Sequence, residues 1–105
     1  MTLETTSFQA HQPVLIDQVI EYLKPEPGKV CVDGTFGRGG YTKEILKYGG
    51  RVYGIDQDPE AAEVGKILEK EHPGRFTMMC GRFSQMKSLL IREGEGKVDG
   101  IVLDL

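Results

Sequence analysis

Apolar residues recur at helical spacing at Val14, Leu15, Val19, Ile20 and Leu23, which predicts a short amphipathic helix over 14–23. The run Lys24-Pro25-Glu26-Pro27-Gly28 ends it, because proline lacks a donor and restricts the residue before it. Lys29 to Asp33 is a brief apolar run ending in an acid, and four glycines follow within Gly34 to Gly40. This reads as a strand and then a glycine-rich loop. Tyr41 to Tyr48 reads as a helix with Ile45 and Leu46 inward, stopped by Gly49-Gly50. Arg51 to Asp56 returns to a strand pattern through Val52, Tyr53 and Ile55, again ending in an acid. Asp58-Pro59 opens a helix by a clear mechanism, an Asp oxygen for the orphan N–H groups and Pro at the first helical position. That helix is expected to run to about Lys70 with Ala61, Val64 and Leu68 inward, and His72-Pro73-Gly74 closes it. Phe76–Cys80 is a third strand, Phe83–Ile91 a helix and Asp99–Leu105 a fourth strand.

Strands alternating with helices at this spacing predict a parallel sheet with helices packed on its faces, a Rossmann-like α/β fold. In a doubly wound sheet the first strand lies near the middle, which gives the order 3-2-1-4 and leaves the fourth strand as a bare edge. The chain, residues 1–105, is therefore expected to be the N-terminal half of a longer domain.

Composition narrows the reading. An apolar share of 39% suits a packed core, and charges interrupt every hydrophobic run, so no membrane span is expected. Residues 1–10 hold Glu4 and neither Arg nor Lys, unlike a signal or transit peptide, so the cytoplasm is the expected location. A net charge of −3 supplies no global field for nucleic acid, so an RNA substrate would need a local basic patch or another part of the protein. Cys31 and Cys80 have no second ligand at metal spacing, nor do His11 and His72, so no metal is implied. Both cysteines are expected to be buried as small apolar residues, and Met78 and Met79 to fill the core. His11 is expected to cap the first helix.

The chemistry concentrates in Val32-Asp33-Gly34-Thr35-Phe36-Gly37-Arg38-Gly39-Gly40 and in Gly54-Ile55-Asp56. Glycines admit a ligand close to the backbone, and the start of the following helix offers N–H groups to a carboxylate or phosphate. Asp56 lies just over 20 residues beyond Gly34, the separation at which an acid ending the second strand can accept the hydroxyls of a ribose. The pattern indicates a nucleoside-bearing cofactor. The dinucleotide fingerprint G-x-G-x-x-G fails, because starting from Gly37 and Gly39 its last glycine would be Thr42. A Walker A loop fails as well, since no Gly-Lys-Ser/Thr follows. Arg38 can be read as facing an anion or simply as solvated.

The run Asp33-Gly34-Thr35-Phe36-Gly37-Arg38-Gly39-Gly40-Tyr41-Thr42 resembles the D-G-T-x-G-x-G-G-H-[ST] signature of the bacterial small-subunit ribosomal RNA methyltransferase H family. His11-Gln12-Pro13-Val14-Leu15, Ile55-Asp56-Gln57-Asp58-Pro59, Gly81-Arg82-Phe83-Ser84 and Asp99-Gly100-Ile101-Val102-Leu103-Asp104-Leu105 are similar to further segments of that family, in the same order. The resemblance implies a class I S-adenosylmethionine-dependent methyltransferase that modifies N4 of a cytidine in small-subunit rRNA, with room for a homodimer in the full-length protein. Carried over by position, it implies cofactor contacts at Asp33, Gly37, Gly39, Gly40, Tyr41, Asp56, Phe83 and Asp104. Gly39, Gly40 and Tyr41 would meet the methionine end, Asp56 the ribose and Phe83 the adenine region. Asp104 would lie near the transferring methyl and carry the catalytic role. Tyr41 stands where the family usually has His. A reading of a different class is a cofactor-binding or interaction module without activity of its own.

Overall fold

The computed structural model describes residues 5–8 and 14–104, with side chains described from 16 to 103. In chain order it contains β1 (Thr5–Phe8), α1 (Val14–Leu23), β2 (Val30–Asp33), α2 (Gly40–Lys47), β3 (Arg51–Asp56), α3 (Pro59–Glu71), β4 (Phe76–Cys80), a 3-10 turn (Phe83–Gln85), α4 (Met86–Arg92) and β5 (Gly100–Asp104). The strands form one sheet in the order β1-β5-β2-β3-β4, with every pairing parallel. The expected order 3-2-1-4 is present as β4-β3-β2-β5.

The expectation of a bare edge on the fourth strand is overturned. β1 lies parallel to β5, pairing Thr5 with Ile101 and Phe8 with Asp104. Thr5-Thr6-Ser7-Phe8 has no apolar alternation, so its pairing rests on backbone hydrogen bonds that a periodicity reading does not register. At the opposite edge, the Met78 N–H donates to Glu69 Oε2 at 2.9 Å, so a side chain of α3 occupies an edge donor of β4.

Successive side chains of a strand point to opposite faces, and the core divides accordingly. Cys31, Val52, Phe76 and Val102 pack with Val19 and Leu23 of α1, Ile45 and Leu46 of α2, and Ala61 and Leu68 of α3. Val32, Tyr53, Ile55, Met79, Ile101 and Leu103 face the other way, onto Leu89 and Leu90 of α4. Three helices thus cover one face and α4 covers the other. Fully burying a Val or Ile side chain stabilises by about 1.5–3 kcal/mol, so the two layers together outweigh any individual polar contact.

Several details differ from the sequence expectation. Val64 packs half-buried on the core as expected, and Gly65, which was not expected there, brings α3 close to the sheet: a Cβ there would stand 2.6 Å from Met78 Cγ. Met79 is buried and Met78 half-buried. The helix expected from Phe83 begins as a 3-10 turn and becomes α-helical only at Met86. Cys31 is buried as expected but Cys80 is exposed, because it ends an edge strand. His11 lies outside the described residues. No helix among the described residues is long and apolar enough to cross a membrane.

Candidate functional site

The glycine-rich loop leaves β2 at the carboxyl edge of the sheet, where open α/β folds bind their ligands. Backbone hydrogen bonds hold it to both neighbouring strands. The Gly34 N–H donates to the Val102 carbonyl at 2.9 Å and the Phe36 N–H to the Ile55 carbonyl at 3.1 Å. The Phe36 ring turns into the core against Phe76, with ring centroids 5.4 Å apart. Gly54 makes room for it, since a Cβ there would lie 2.7 Å from Phe36 Cδ1. The loop is therefore anchored from below while its later residues face outward.

Gly39 takes φ 79°, a left-handed conformation costly for residues with a Cβ, and no side chain caps the helix that follows. A Cβ built on Gly40 would meet nothing within 4 Å, so open space adjoins the first turn of α2. A helix start without a capping side chain and with open space beside it suits an anionic ligand group.

Asp56 ends β3 and ties three loops together. Its Oδ2 accepts the Gly37 N–H at 2.9 Å and its Oδ1 accepts the Asp58 N–H at 3.0 Å. Its carbonyl accepts the Gly81 N–H at 3.1 Å. An ionised carboxylate has about four lone-pair sites, so both oxygens keep capacity for a ligand's hydroxyl groups.

The remaining site residues occupy different environments. Asp33 is fully buried beneath the loop, where its Oδ2 accepts the Thr42 hydroxyl at 2.8 Å. Tyr41 is buried as a member of the core cluster on the face covered by α1, α2 and α3. Phe83 is half-buried against the α4 layer, and a Cβ on Gly34 would lie 2.5 Å from its Cδ1 and 2.4 Å from Leu103 Cδ2. Phe83 thus rests on the backbone of the loop's first residue. Asp104 is the last residue of β5, and its side chain lies outside those described. Arg38 is exposed on the loop.

Sequence reasoning missed two contacts. One is the Thr42 hydroxyl on Asp33, whose only signal is a polar residue in the first turn of a helix that otherwise turns apolar residues inward. The other joins the loops after β3 and β4, where Arg82 Nε donates to Gln57 Oε1 at 3.2 Å.

Described residues line two open concavities, one beside the glycine loop and one remote from it. One of about 560 Å³ lies between the starts of α2 and α3 and is lined by Arg38 and Lys43 against Asp58 and Glu60, so its charges balance. The other, about 580 Å³, is lined by Lys24, Lys29 and Asp99 at the amino end of the sheet, away from the loop. The converging donors and acceptors mark the site better than either volume. The perturbed titratable groups also lie elsewhere. Burial, reinforced by Asp99 and partly offset by Lys29, pushes the Cys31 thiol up to about 11. Burial and then a 3.1 Å hydrogen bond donated to Glu95 raise the Tyr53 phenol.

Comparison with known proteins agrees with this geometry. A solved structure of precorrin 8w decarboxylase from Methanobacterium thermoautotrophicum superposes with a TM-score of 0.66 at 26% identity, over 85% of this chain and 47% of that one. A structure assigned as an rRNA-methylase from Clostridium thermocellum gives 0.58 at 25% identity, over 70% and 45%. The ribosomal RNA small subunit methyltransferase H of Brucella ovis is 55% identical over 97 residues, which cover 90% of this chain and 28% of that protein. The chain thus spans less than a third of the length of that relative. The MraW methylase family model matches residues 8–105, which include the loop, Asp56 and the end of β5, and with this match the chain belongs to the MraW methylase family.

Proposed function

We propose that this chain forms the S-adenosylmethionine-binding part of a methyltransferase that modifies N4 of a cytidine in small-subunit ribosomal RNA, acting in the cytoplasm. The observation that carries the reading is the pairing of an uncapped, glycine-opened helix start at α2 with the carboxylate of Asp56 across the same loop. The names of the relative in Brucella ovis and of the structure from Clostridium thermocellum support RNA as the substrate class.

In this reading the first turn of α2, with Gly39, Gly40 and the backbone of Tyr41, holds the cofactor's carboxylate end. The oxygens of Asp56 accept the ribose hydroxyls, Gly37 and Asp33 keep the loop in place, and Phe83 borders the adenine. The cofactor, when bound, supplies an electrophilic methyl group on a sulfonium. The chain's own contribution is alignment: a rigid loop between β2 and α2 fixes where that methyl stands relative to an incoming amine. Asp104, at the carboxyl edge of β5, orients the exocyclic amine and takes up its proton. The base must be presented unpaired, as enzymes that act on base edges require.

Calorimetric titration with S-adenosylmethionine, with NAD as control, tests the cofactor, and heat from NAD alone would overturn the reading. Methyl transfer is tested with the full-length protein, labelled cofactor and small-subunit rRNA, followed by nucleoside analysis for N4-methylcytidine. Residues 1–105 alone, which match 28% of the Brucella relative, are expected to bind the cofactor weakly and to transfer no methyl group.

A further inference from the structure

Among the described residues, the fully or nearly fully buried polar or charged side chains are Asp33 and Thr42, each with 0% exposure, and they are hydrogen-bonded to each other. Among the described residues, the buried cluster on this side of the sheet is apolar and includes Val19, Phe36, Ile45 and Val102. Burying a carboxylate is costly unless it is hydrogen-bonded, and an apolar pair of similar volume at such a place is often as stable or more so. Stability alone therefore does not account for the pair.

Its position suggests another role. Asp33 is the last residue of β2, and Thr42 is in the first turn of α2. The nine-residue separation between them is the glycine-rich loop, so the bond of 2.8 Å closes that loop at its base. At the far side of the same loop, Gly37 is held by Asp56 at 2.9 Å. Besides the backbone bonds of Gly34 and Phe36, the loop is thus held by two side-chain bonds, and these lie at the two places where the proposed cofactor is gripped. Thr42 governs the helix start and Asp56 the ribose end.

We infer that Thr42 is a positioning residue for the cofactor: its hydroxyl, acting through Asp33, sets the distance between the α2 helix start and the Asp56 carboxylate. The inference rests on the functional reading above. Its methyl group packs in the core, but the hydroxyl is the part that matters for binding. A rigid spacing lets one ligand satisfy both ends at once, and a loosened base costs affinity for the ligand without altering the chemistry at its methyl group.

The test compares Thr42→Val, which keeps the shape and removes the hydroxyl, with Thr42→Ser, which keeps the hydroxyl, in the full-length protein. Thr42→Val is expected to raise KM for S-adenosylmethionine about tenfold, with kcat at saturating cofactor and KM for RNA within about twofold of wild type. Thr42→Ser is expected to restore KM to within about threefold. A purely structural role would instead lower kcat with the active fraction and leave KM unchanged, and that result overturns the inference. Should Thr42→Val fail to fold, Thr42→Ala is read in the same way, and failure of both assigns the hydroxyl to folding alone and also overturns it. Wild-type protein that does not saturate with S-adenosylmethionine defeats the functional reading and this inference together. Wild-type saturation with an unchanged KM in Thr42→Val defeats only the inference.

Discussion

α2 and α3 are successive helices of the same kind, each following a parallel strand that ends in an acid and each packed on the same face of the sheet. They begin in opposite ways. α3 is self-sufficient: the Asp58 side chain accepts the Glu60 N–H at 2.9 Å, Pro59 needs no hydrogen bond and Glu60 adds a negative charge to the first turn. α2 starts from a left-handed Gly39, has no side-chain cap and has no acid in its first turn. A helix start that supplies its own anion has little use for another, whereas one that supplies none is stabilised by an anion from outside. In the proposed reading, the contrast favours the β2–α2 crossover over the β3–α3 crossover as the place of the ligand.

Removing Asp56 breaks this contrast most severely, because that carboxylate receives an N–H from the loop before α2 and another from the start of α3. Asp56→Ala forfeits charge-assisted hydrogen bonds worth about 1.5–3 kcal/mol each, so calorimetry is expected to find S-adenosylmethionine bound about a hundredfold more weakly or worse. Giving α2 a cap of the α3 kind is the next most damaging change. Gly39→Asp places a Cβ on a residue at φ 79°, 3.0 Å from Phe36 Cζ, and puts a negative charge where the ligand's carboxylate is to sit. Stability is expected to fall by about 1–2 kcal/mol in urea unfolding, and cofactor affinity by more than tenfold.

The reciprocal change sharpens the comparison. Asp58→Ala should cost about 1 kcal/mol of stability through the lost cap and leave cofactor affinity within about twofold. A comparable loss of affinity there would mean that both helix starts serve the ligand. The smallest effect concerns the thiols. Cys80, exposed and paired in register with Asp56, is expected to react with a thiol reagent at pH 8 and to be shielded by bound cofactor. Cys31, with its thiol pushed up to about 11, should react only on unfolding. Because folding raises that pKa, its contribution is fully present below about pH 9 and is lost as pH rises to about 11, so alkaline unfolding should ease over that window.

Much of the fold was legible because its signals are local. β2, β3 and β4 and the cap of α3 follow from apolar runs, terminal acids and Asp58-Pro59, all within a few residues. The position of Asp56 beside the glycine loop was legible from spacing alone, since a strand, a loop and a helix of ordinary length bring the two together. Other features depend on distant residues. Whether Cys80 is covered depends on which strand lies at the sheet's edge. Whether Phe83 can rest on the loop depends on Gly34 lacking a Cβ, which no pattern around Phe83 reveals. Asp33 and Tyr41 were expected, from the family resemblance, to contact the cofactor. The structure puts the Asp33 carboxylate beneath the loop on Thr42 and the Tyr41 ring in the core.

By itself, then, the sequence determined the alternation of strands and helices, the parallel order of four strands, the glycine loop and the acid that ends β3. These depend on periodicity, chain stiffness and the chemistry of single residues, which act over one or two helical turns. Only the tertiary structure decided that Thr5–Phe8 adds a fifth strand, that Asp33 and Thr42 close the base of the loop and that Asp56 is shared among three loops. Those outcomes are pairings between groups separated along the chain, and their energies come from burial and hydrogen bonding that exist only once the sheet has brought its carboxyl ends together.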